Sequence, residues 1–369
     1  MRSVAAVNFA NRSPTVDMGD MIEAEYAGAV ARVTAALADP DQCLRDETLV
    51  AVWLLGIREL LVGVNGPPRK SAHQTHIDGT LMLLRLRGEE QFSRPTGRHL
   101  YATLLSAMHW KPLFASEEPS QEYLMLESQI PKATSKVPEA SLRLRSFFHG
   151  VSKLRARIKN FLNMKEDASL ERSRIVESYL RAGARLEEKV SGWCENPSWL
   201  PRKALSEMPQ RHAPRTPWTS GTLFRTHCFG SWDAFFHWNR FFVAKICLHA
   251  ALIDAISTLS SNKPSHARTT AIDEMIMSHT ATLQDTVRDF IGTLAYALGD
   301  LDENGCSRPI STGFVNDGAS SGNRGIDVPS TLQVQAPLSY LITLKYLGSG
   351  QREAMFLALQ RIRAEFRIR

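Results

Sequence analysis

The segment HIDGTLMLLRLRG, residues 76–88, gives the clearest indication of the fold class. Ile77, Leu81 and Leu84 recur at spacings of four and three residues, as on one face of an α-helix. Gly88 follows one turn later, where glycine commonly ends a helix. The segment therefore predicts an amphipathic helix that stops at residue 88, and it holds no evident catalytic group.

Helical periodicity continues on both sides of this segment. No part of the chain shows a convincing alternation of apolar and polar residues in the manner of a strand. We therefore expect an all-α fold, built from packed antiparallel helix pairs in an irregular bundle or solenoid. The predicted helices cover residues 21–38, 48–62, 71–88, 139–163, 168–193, 232–259, 269–299, 330–347 and 351–366, with another starting at residue 97.

The domain organisation follows from where this periodicity fails. Residues 197–221 contain five prolines and two tryptophans, which predicts an internal crossover. Residues 300–329 are rich in Gly, Ser and Asn, which predicts a flexible polar loop. We interpret residues 1–369 as a single helical domain that carries these two interruptions.

The positive charge of the chain is concentrated in its middle. The net charge is +6, and residues 139–218 hold 16 Lys and Arg against 9 Asp and Glu. No acid occurs between residues 140 and 165. We favour a solvated helix face as the interpretation, and contact with nucleic acid or an acidic partner is the alternative. The cations of this stretch are Arg143, Arg145, Lys153, Arg155, Arg157, Lys159 and Lys165.

Cysteine usage and hydropathy bear on the cellular environment. The chain has only five cysteines, without short spacings, which argues against a disulfide framework and favours a reducing compartment. We identify no signal peptide. The most apolar helix, residues 241–256, is interrupted by Lys245, His249 and Asp254, so we expect no membrane span.

Several of these residues follow the pattern of a known family. His76 and Gly79 fit His-x-x-Gly, and residues 83–88 fit Leu-Leu-x-x-Arg-Gly. Residues 91–92 then supply Gln-Phe, and residues 97–100 supply Gly-Arg-x-Leu. This pattern resembles the one that opens the regulatory, or middle homology, domain of fungal binuclear zinc cluster transcription factors.

Three further segments resemble the same family in the same order. Residues 26–59 are similar to the helix pair before the signature, residues 238–249 to its Trp-Asn-x-x-Arg helix, and residues 337–362 to its closing helices. Arg240 stands earlier than the family's arginine, and Lys245 takes the later basic position. The resemblance implies a structural role for Glu59, His76, Gly79, Arg87, Gly88, Trp238, Asn239 and Arg240.

The chain departs from the family in its cysteines. The DNA-reading module of the family needs six closely spaced cysteines to hold two zinc ions, and no two cysteines of this chain are close enough to begin one. We therefore expect no cofactor and no metal in this chain, and no direct sequence-specific contact with DNA.

The resemblance implies a nuclear, all-helical regulatory domain. It would control transcription through contacts with other transcription proteins or with a small-molecule effector. Because binding pockets are largely apolar, we expect an effector to lie among aromatic residues near the proline-rich segment. The candidate pocket residues are Trp218, Phe224, Phe235 and Trp238.

An alternative interpretation is a helical enzyme of a fungal metabolic pathway. His227, Asp233 and His237 could form an acid-base set, since Asp233 and His237 are one helical turn apart. Cys228 beside them could act as a nucleophile. The enzyme hypothesis requires these side chains to converge on one cleft, which the regulatory hypothesis does not.

Glu59 is the most unusual residue of the apolar helix over residues 48–62. A buried carboxylate needs a partner, because an unpaired charge is costly to remove from water. We therefore predict that Glu59 is buried and that it contacts Arg87, Arg240 or backbone amides as a structural clamp.

Overall fold

The structure is a computed structural model that describes ten stretches of the chain. They are residues 3–4, 19–63, 70–108, 110–133, 139–164, 169–193, 201–203, 226–259, 266–301 and 328–365.

The predicted all-α fold class is confirmed. Apart from one two-residue strand pair, the regular structure of the described stretches is helical. Strand β1, Arg202–Lys203, pairs antiparallel with strand β2, His227–Cys228. The helices are α1 Gly19–Ala38, α2 Asp46–Gly63, α3 Lys70–Leu86, α4 Pro95–Ala107, α5 Trp110–Ala115, α6 Gln121–Ser128, α7 Ile130–Ala133, α8 Glu139–Leu162, α9 Ser169–Val190, α10 Trp232–Ser257, α11 His266–Gly292, α12 Leu294–Ala297, α13 Val328–Leu341 and α14 Gln351–Glu365, with a 3-10 helix at Gly88–Ser93.

The chain divides into two compact units, and the interpretation of residues 1–369 as a single domain stays a prediction. The first unit comprises Met1–Trp110, Ser120–Val137 and Arg361–Arg369, and the second comprises Lys111–Pro119 and Pro138–Gln360. The units are not continuous in sequence, because the chain returns to the first unit at Ser120–Val137 and again at Arg361–Arg369. Sequence periodicity reports on single helices and contains no signal for such a return.

The core of the first unit forms between α2, α3 and α4. Helices α2 and α3 pack along each other, and α4 contributes a row of apolar side chains to the same interior. Leu49, Leu84, Tyr101 and Leu105 are fully buried. The Tyr101 hydroxyl donates to the Leu126 carbonyl, so the only polar group of this ring is satisfied.

The core of the second unit surrounds α10. This helix packs against α8 and α11, and 17 of its 26 residues are buried. Ser231 caps its amino terminus by accepting a hydrogen bond from the Ala234 backbone N–H at 3.2 Å. The aromatic helix predicted over residues 232–259 is therefore confirmed as a buried element. None of the helices in the described stretches is both long and apolar enough to span a membrane.

In α8, one cation of the predicted solvated face is buried. Its apolar stripe is buried as expected from Phe147 to Phe161. Arg155, assigned to the solvated face, is only 6% exposed and lies inside the second unit. The interpretation of the basic stretch as entirely solvent-facing is therefore wrong for this residue.

The two predicted interruptions fall mostly outside the described residues. Of the crossover over residues 197–221, only residues 201–203 are described. Of the polar loop over residues 300–329, the structure describes residues 300–301 and 328–329. Both interpretations stay predictions.

Candidate functional site

The family-like motif at the end of α3 forms a tight corner. Gly88 has a φ of +56°, a left-handed conformation that glycine adopts without steric cost, and the chain turns there into the 3-10 helix. Arg87 is buried and forms an ion pair with Asp46 at the start of α2. This contact fixes the end of α3 to the beginning of α2.

The buried side chain of Gln91 stabilises this corner. Its Nε2 donates to the Leu84 carbonyl at 2.9 Å and to the Gly88 carbonyl at 2.6 Å, so it satisfies acceptors that the end of α3 leaves open. Gly97 lies directly against this residue, because a Cβ at position 97 would be 2.2 Å from the Gln91 carbonyl oxygen. The motif residues thus hold a backbone corner and form no reactive cluster.

The first half of the motif lies where α3 packs on α2. A Cβ at Gly79 would come within 3.6 Å of Val52 Cγ1, which is an ordinary contact distance. His76 is partly buried, and its backbone carbonyl accepts a hydrogen bond from Thr80 Oγ1 at 2.8 Å. Gly79 therefore lies in the contact between α3 and α2.

Glu59 is buried as predicted, but the expected partner is wrong. Glu59 accepts a hydrogen bond from its sequence neighbour Arg58 at 2.8 Å, while Arg87 is engaged by Asp46. Arg58 also reaches Glu23 of α1 at 2.9 Å. Neighbouring residues on a helix point in different directions, so their pairing depends on side-chain bends that sequence spacing does not report.

Tyr26 completes the Arg58 cluster. The Arg58 Cζ lies 3.7 Å from the centroid of the Tyr26 ring, within cation–π range. Burial, together with a hydrogen bond to the Glu59 carboxylate, raises the pKa of the Tyr26 hydroxyl. The cluster is a structural clamp between α1 and α2.

The Trp-Asn-x-x-Arg-like segment lies at the start of α10. Trp238 packs against Trp193 with ring centroids 4.9 Å apart. Asn239 is fully buried, and its Nδ2 donates to the Gln333 carbonyl of α13 at 3.1 Å. Arg240, on the same turn, is partly buried and acts electrostatically on His237. These residues hold the second unit together.

The alternative catalytic residues have separate partners. His237 Nδ1 lies 2.6 Å from the backbone carbonyl of Asp233, and His237 Nε2 lies 2.9 Å from Ser141 Oγ. His227 Nε2 lies 3.4 Å from the Asp289 carboxylate of α11. The carboxylate-to-imidazole contact proposed between Asp233 and His237 is therefore replaced by a main-chain contact.

Within this set, burial alters the acid-base properties of His237. The pKa of His237 is lowered chiefly because burial disfavours the charged ring, and the charge of Arg240 adds to the effect. Cys228, the suggested nucleophile, is fully buried in β2. A thiol enclosed in this way is not presented to a substrate.

Of the four candidate pocket residues, the described pair belongs to the core. Phe235 is fully buried against Phe229 and Tyr296, with ring centroids 5.7 Å and 5.6 Å away. Trp238 is 9% exposed. Trp218 and Phe224 lie outside the described residues, so an effector pocket at this place stays a prediction.

Sequence reasoning missed a polar connection among the described residues of the second unit, which is made by Arg155. Its Nε donates to the Leu113 carbonyl at 3.0 Å, and its Nη1 donates to the Cys247 carbonyl at 2.9 Å. Its Nη2 donates to Ser116 Oγ at 2.9 Å and to the Tyr340 hydroxyl. One guanidinium thereby joins α8 to α10, to α13, to α5 and to Ser116 directly after α5.

A second missed cluster contains two histidines. His249 Nδ1 and His279 Nδ1 are 2.9 Å apart, and His249 Nε2 lies 3.3 Å from the Glu187 carboxylate. Burial, and then the neighbouring His249, lower the pKa of His279. Burial acts to raise the pKa of Glu187, but the contacts with His249 and Lys245 lower it overall. Helical spacing could have suggested which of these residues are inward, but not that they meet.

Metal binding receives no geometric support in the described stretches, where no group of three or more His, Cys, Asp or Glu side chains is arranged to hold an ion. His249 is 3% exposed, so its imidazole is closed to a substrate. The arrangement of these polar groups serves to hold helices together.

Comparison with known proteins returned no similarity. No family model, no curated protein and no solved structure matches the chain.

Proposed function

We propose that this chain is the regulatory domain of a fungal transcription regulator of the zinc cluster type. In this proposal it acts in the nucleus and controls transcription through other transcription proteins or a small-molecule effector. It does so without a DNA-reading module of its own among residues 1–369.

One contact carries the proposal. Asp46 and Arg87 are 41 residues apart and belong to two different segments of the family-like pattern. They meet as a partly buried ion pair at the corner where α3 ends. Leucines and arginines are common on helices, so a pattern of them could arise by chance. A chance pattern gives no reason for two of its residues to contact each other.

The surroundings of this pair add support. Gln91 and Gly97, which are also part of the pattern, contact each other within the same corner. Each motif residue there has a structural reason, which is what the resemblance implies for them. The proposal thus interprets the chain as a scaffold for binding.

A reporter experiment tests the proposal. The complete chain is fused to a heterologous DNA-binding domain and expressed in a fungal host whose reporter gene carries the matching site. We expect reporter transcription to change relative to the DNA-binding domain alone, and a fluorescently tagged chain to accumulate in the nucleus. Unchanged transcription together with exclusion from the nucleus would refute the proposal.

A matched pair of variants tests whether the effect on reporter transcription depends on the corner at Gly88. Arg87→Ala removes the buried partner of Asp46, whereas Arg94→Ala removes an exposed arginine that lies 3.5 Å from the same carboxylate. We expect only Arg87→Ala to abolish the effect on the reporter, because exposed ion pairs contribute little.

A further inference from the structure

A groove runs along the surface of the second unit between α8 and α9. Its volume is about 330 Å³. The floor is aliphatic, and the rims carry four cations, two from each helix. The floor is formed by Gly150, Leu154, Ala182 and Leu186, and the rim cations are Lys153, Arg157, Arg185 and Lys189.

The shape of the groove follows from the packing of the two helices. They approach closely at Gly150, where a Cβ would lie 2.2 Å from Leu186 Cδ2. From there the lining extends over seven residue steps on each helix, from Gly150 to Arg157 and from Ala182 to Lys189. At 1.5 Å per residue this is about 10 Å, the length of two helical turns.

The rim cations carry uncompensated charge. In the described part of the chain no carboxylate forms an ion pair with any of the four. Arg185 Nε donates to the Arg181 carbonyl at 3.2 Å, which leaves its charge in place. By contrast, Arg174 and Arg181 of α9, outside the groove, are paired with Glu171 and Glu177.

The spacing of the rim cations makes their uncompensated charge more unfavourable. Lys153 and Arg157 are four residues apart on α8, and Arg185 and Lys189 are four residues apart on α9. Like charges at this spacing repel each other and weaken a helix. An anionic partner would relieve that repulsion on both rims at once.

We propose that this groove binds an acidic amphipathic helix of a partner protein. Apolar side chains of the partner, one or two turns apart, contact the aliphatic floor, while its carboxylates reach the rim cations. A nucleic acid fits less well, because none of the lining residues is aromatic and bases therefore find no stacking surface. The inference goes beyond the proposed function and rests on the groove alone.

The test uses the purified complete chain and three fluorescently labelled probes. The first is a 14-residue helical peptide of Leu, Glu and Ala with its leucines on one face. The second has the same composition in scrambled order, and the third is a single-stranded oligothymidylate. We expect the amphipathic peptide to bind roughly tenfold more tightly than the scrambled peptide, because only it can bury its leucines on the floor.

Two charge-matched double variants locate the binding. Lys153→Gln with Arg185→Gln removes one cation from each rim, and Arg174→Gln with Arg181→Gln removes two cations of α9 outside the groove. We expect the first pair to weaken peptide binding about tenfold and the second to change it less than about twofold. Circular dichroism verifies that both proteins keep their helical content.

A third variant tests the floor. Ala182→Phe inserts a ring into the groove and leaves all four rim cations in place, so we expect it to weaken the amphipathic peptide and not the scrambled one. Equal affinity for the two peptides, or equal loss in both double variants, would overturn the proposal. So would absence of peptide binding, or an oligothymidylate that binds more tightly than the peptide and is lost in the first double variant.

Discussion

At the level of single residues, two buried arginines, one in each unit, connect the helices around them. Arg58 is 1% exposed and is neutralised by a carboxylate beside it in sequence. Arg155 is 6% exposed and is satisfied mainly by uncharged oxygens. Both are long cations in apolar surroundings, and each is tolerated because hydrogen bonds replace the water that it loses.

Removing the partner of a buried charge is expected to be costly. Glu59→Ala leaves Arg58 without its enclosed carboxylate, and we expect a loss of about 3 kcal/mol in the free energy of unfolding. Glu23→Ala is the matched control, because Glu23 binds the same guanidinium but is 70% exposed. We expect it to cost at most about 1 kcal/mol. Urea denaturation of both variants measures the difference, and equal costs would contradict the clamp.

At the scale of elements, short segments between helices determine how the helices are joined. The corner after α3 depends on a left-handed glycine at 88 and on the close contact of Gly97 with the Gln91 backbone. Arg155 plays the corresponding part in the second unit, where it donates to carbonyl oxygens of two other elements. Gln91 in the corner and Arg155 in α8 each donate hydrogen bonds to main-chain carbonyls of another element.

The corner predicts opposite responses of two glycines to alanine. In Gly97→Ala the new Cβ would meet a backbone oxygen at 2.2 Å, so the corner must shift, and we expect a loss of about 1–3 kcal/mol. In Gly79→Ala the nearest atom is 3.6 Å away and alanine favours the helix, so we expect no loss or a gain of up to about 1 kcal/mol. Thermal unfolding of both variants measures the change in stability. Unchanged stability in Gly97→Ala would argue against this geometry.

The buried guanidinium predicts a further difference along α8. Arg155→Met keeps the length of the side chain but removes the four hydrogen bonds of the guanidinium, including those to the Leu113 and Cys247 carbonyls, so we expect a loss of about 3 kcal/mol. Arg157→Met, two residues later and exposed, should change stability by less than about 0.5 kcal/mol. Chemical denaturation gives both values, and similar values would show that Arg155 contributes no more than a surface arginine.

At the scale of the whole molecule, burial of histidines makes stability depend on pH. Burial, and then the charges of Arg145 and Lys153, lower the pKa of His149 to about 4. The pKa values of His237 and His279 are also lowered, chiefly by burial. As the pH falls below 6.5, the unfolded chain takes up protons that the folded chain refuses. Stability is therefore full above this pH and is lost on acidification towards pH 4.

A histidine variant isolates this effect. Between pH 7 and pH 5, His149 alone should cost the folded chain about 2 kcal/mol. We expect His149→Gln to lose correspondingly less stability over this range, and His99→Gln, at an exposed position, to follow the original protein. Urea denaturation at a series of pH values measures the slopes, and parallel slopes for His149→Gln and the original protein would contradict the assignment.

Much of the fold could be predicted from the sequence because helices are local. The apolar spacing of the signature helix predicted an end at residue 88, and the structure ends α3 at Leu86 and turns at Gly88. The helix predicted over residues 232–259 is observed as Trp232–Ser257. Spacings of three and four residues are properties of one helix, so they can be recognised without knowledge of its neighbours.

Less of the candidate site could be predicted, because it depends on which helices meet. Burial of Glu59 followed from its apolar neighbours, but its partner Arg58 did not. Arg155 belongs to an acid-free run of cations, and only its packing distinguishes it from Arg157. The contact of His249 with His279 joins two helices across 30 residues, and no local pattern marks it.

Local sequence was enough to predict the all-α class, the positions of the main helices and the turn at Gly88, since each depends on residues within a few positions of one another. Packing between helices fixes the division into two units, the partners of the buried charges and the groove between α8 and α9. These features depend on distances between residues that are remote in sequence. Such distances are set by how helices pack and not by the period of any one of them.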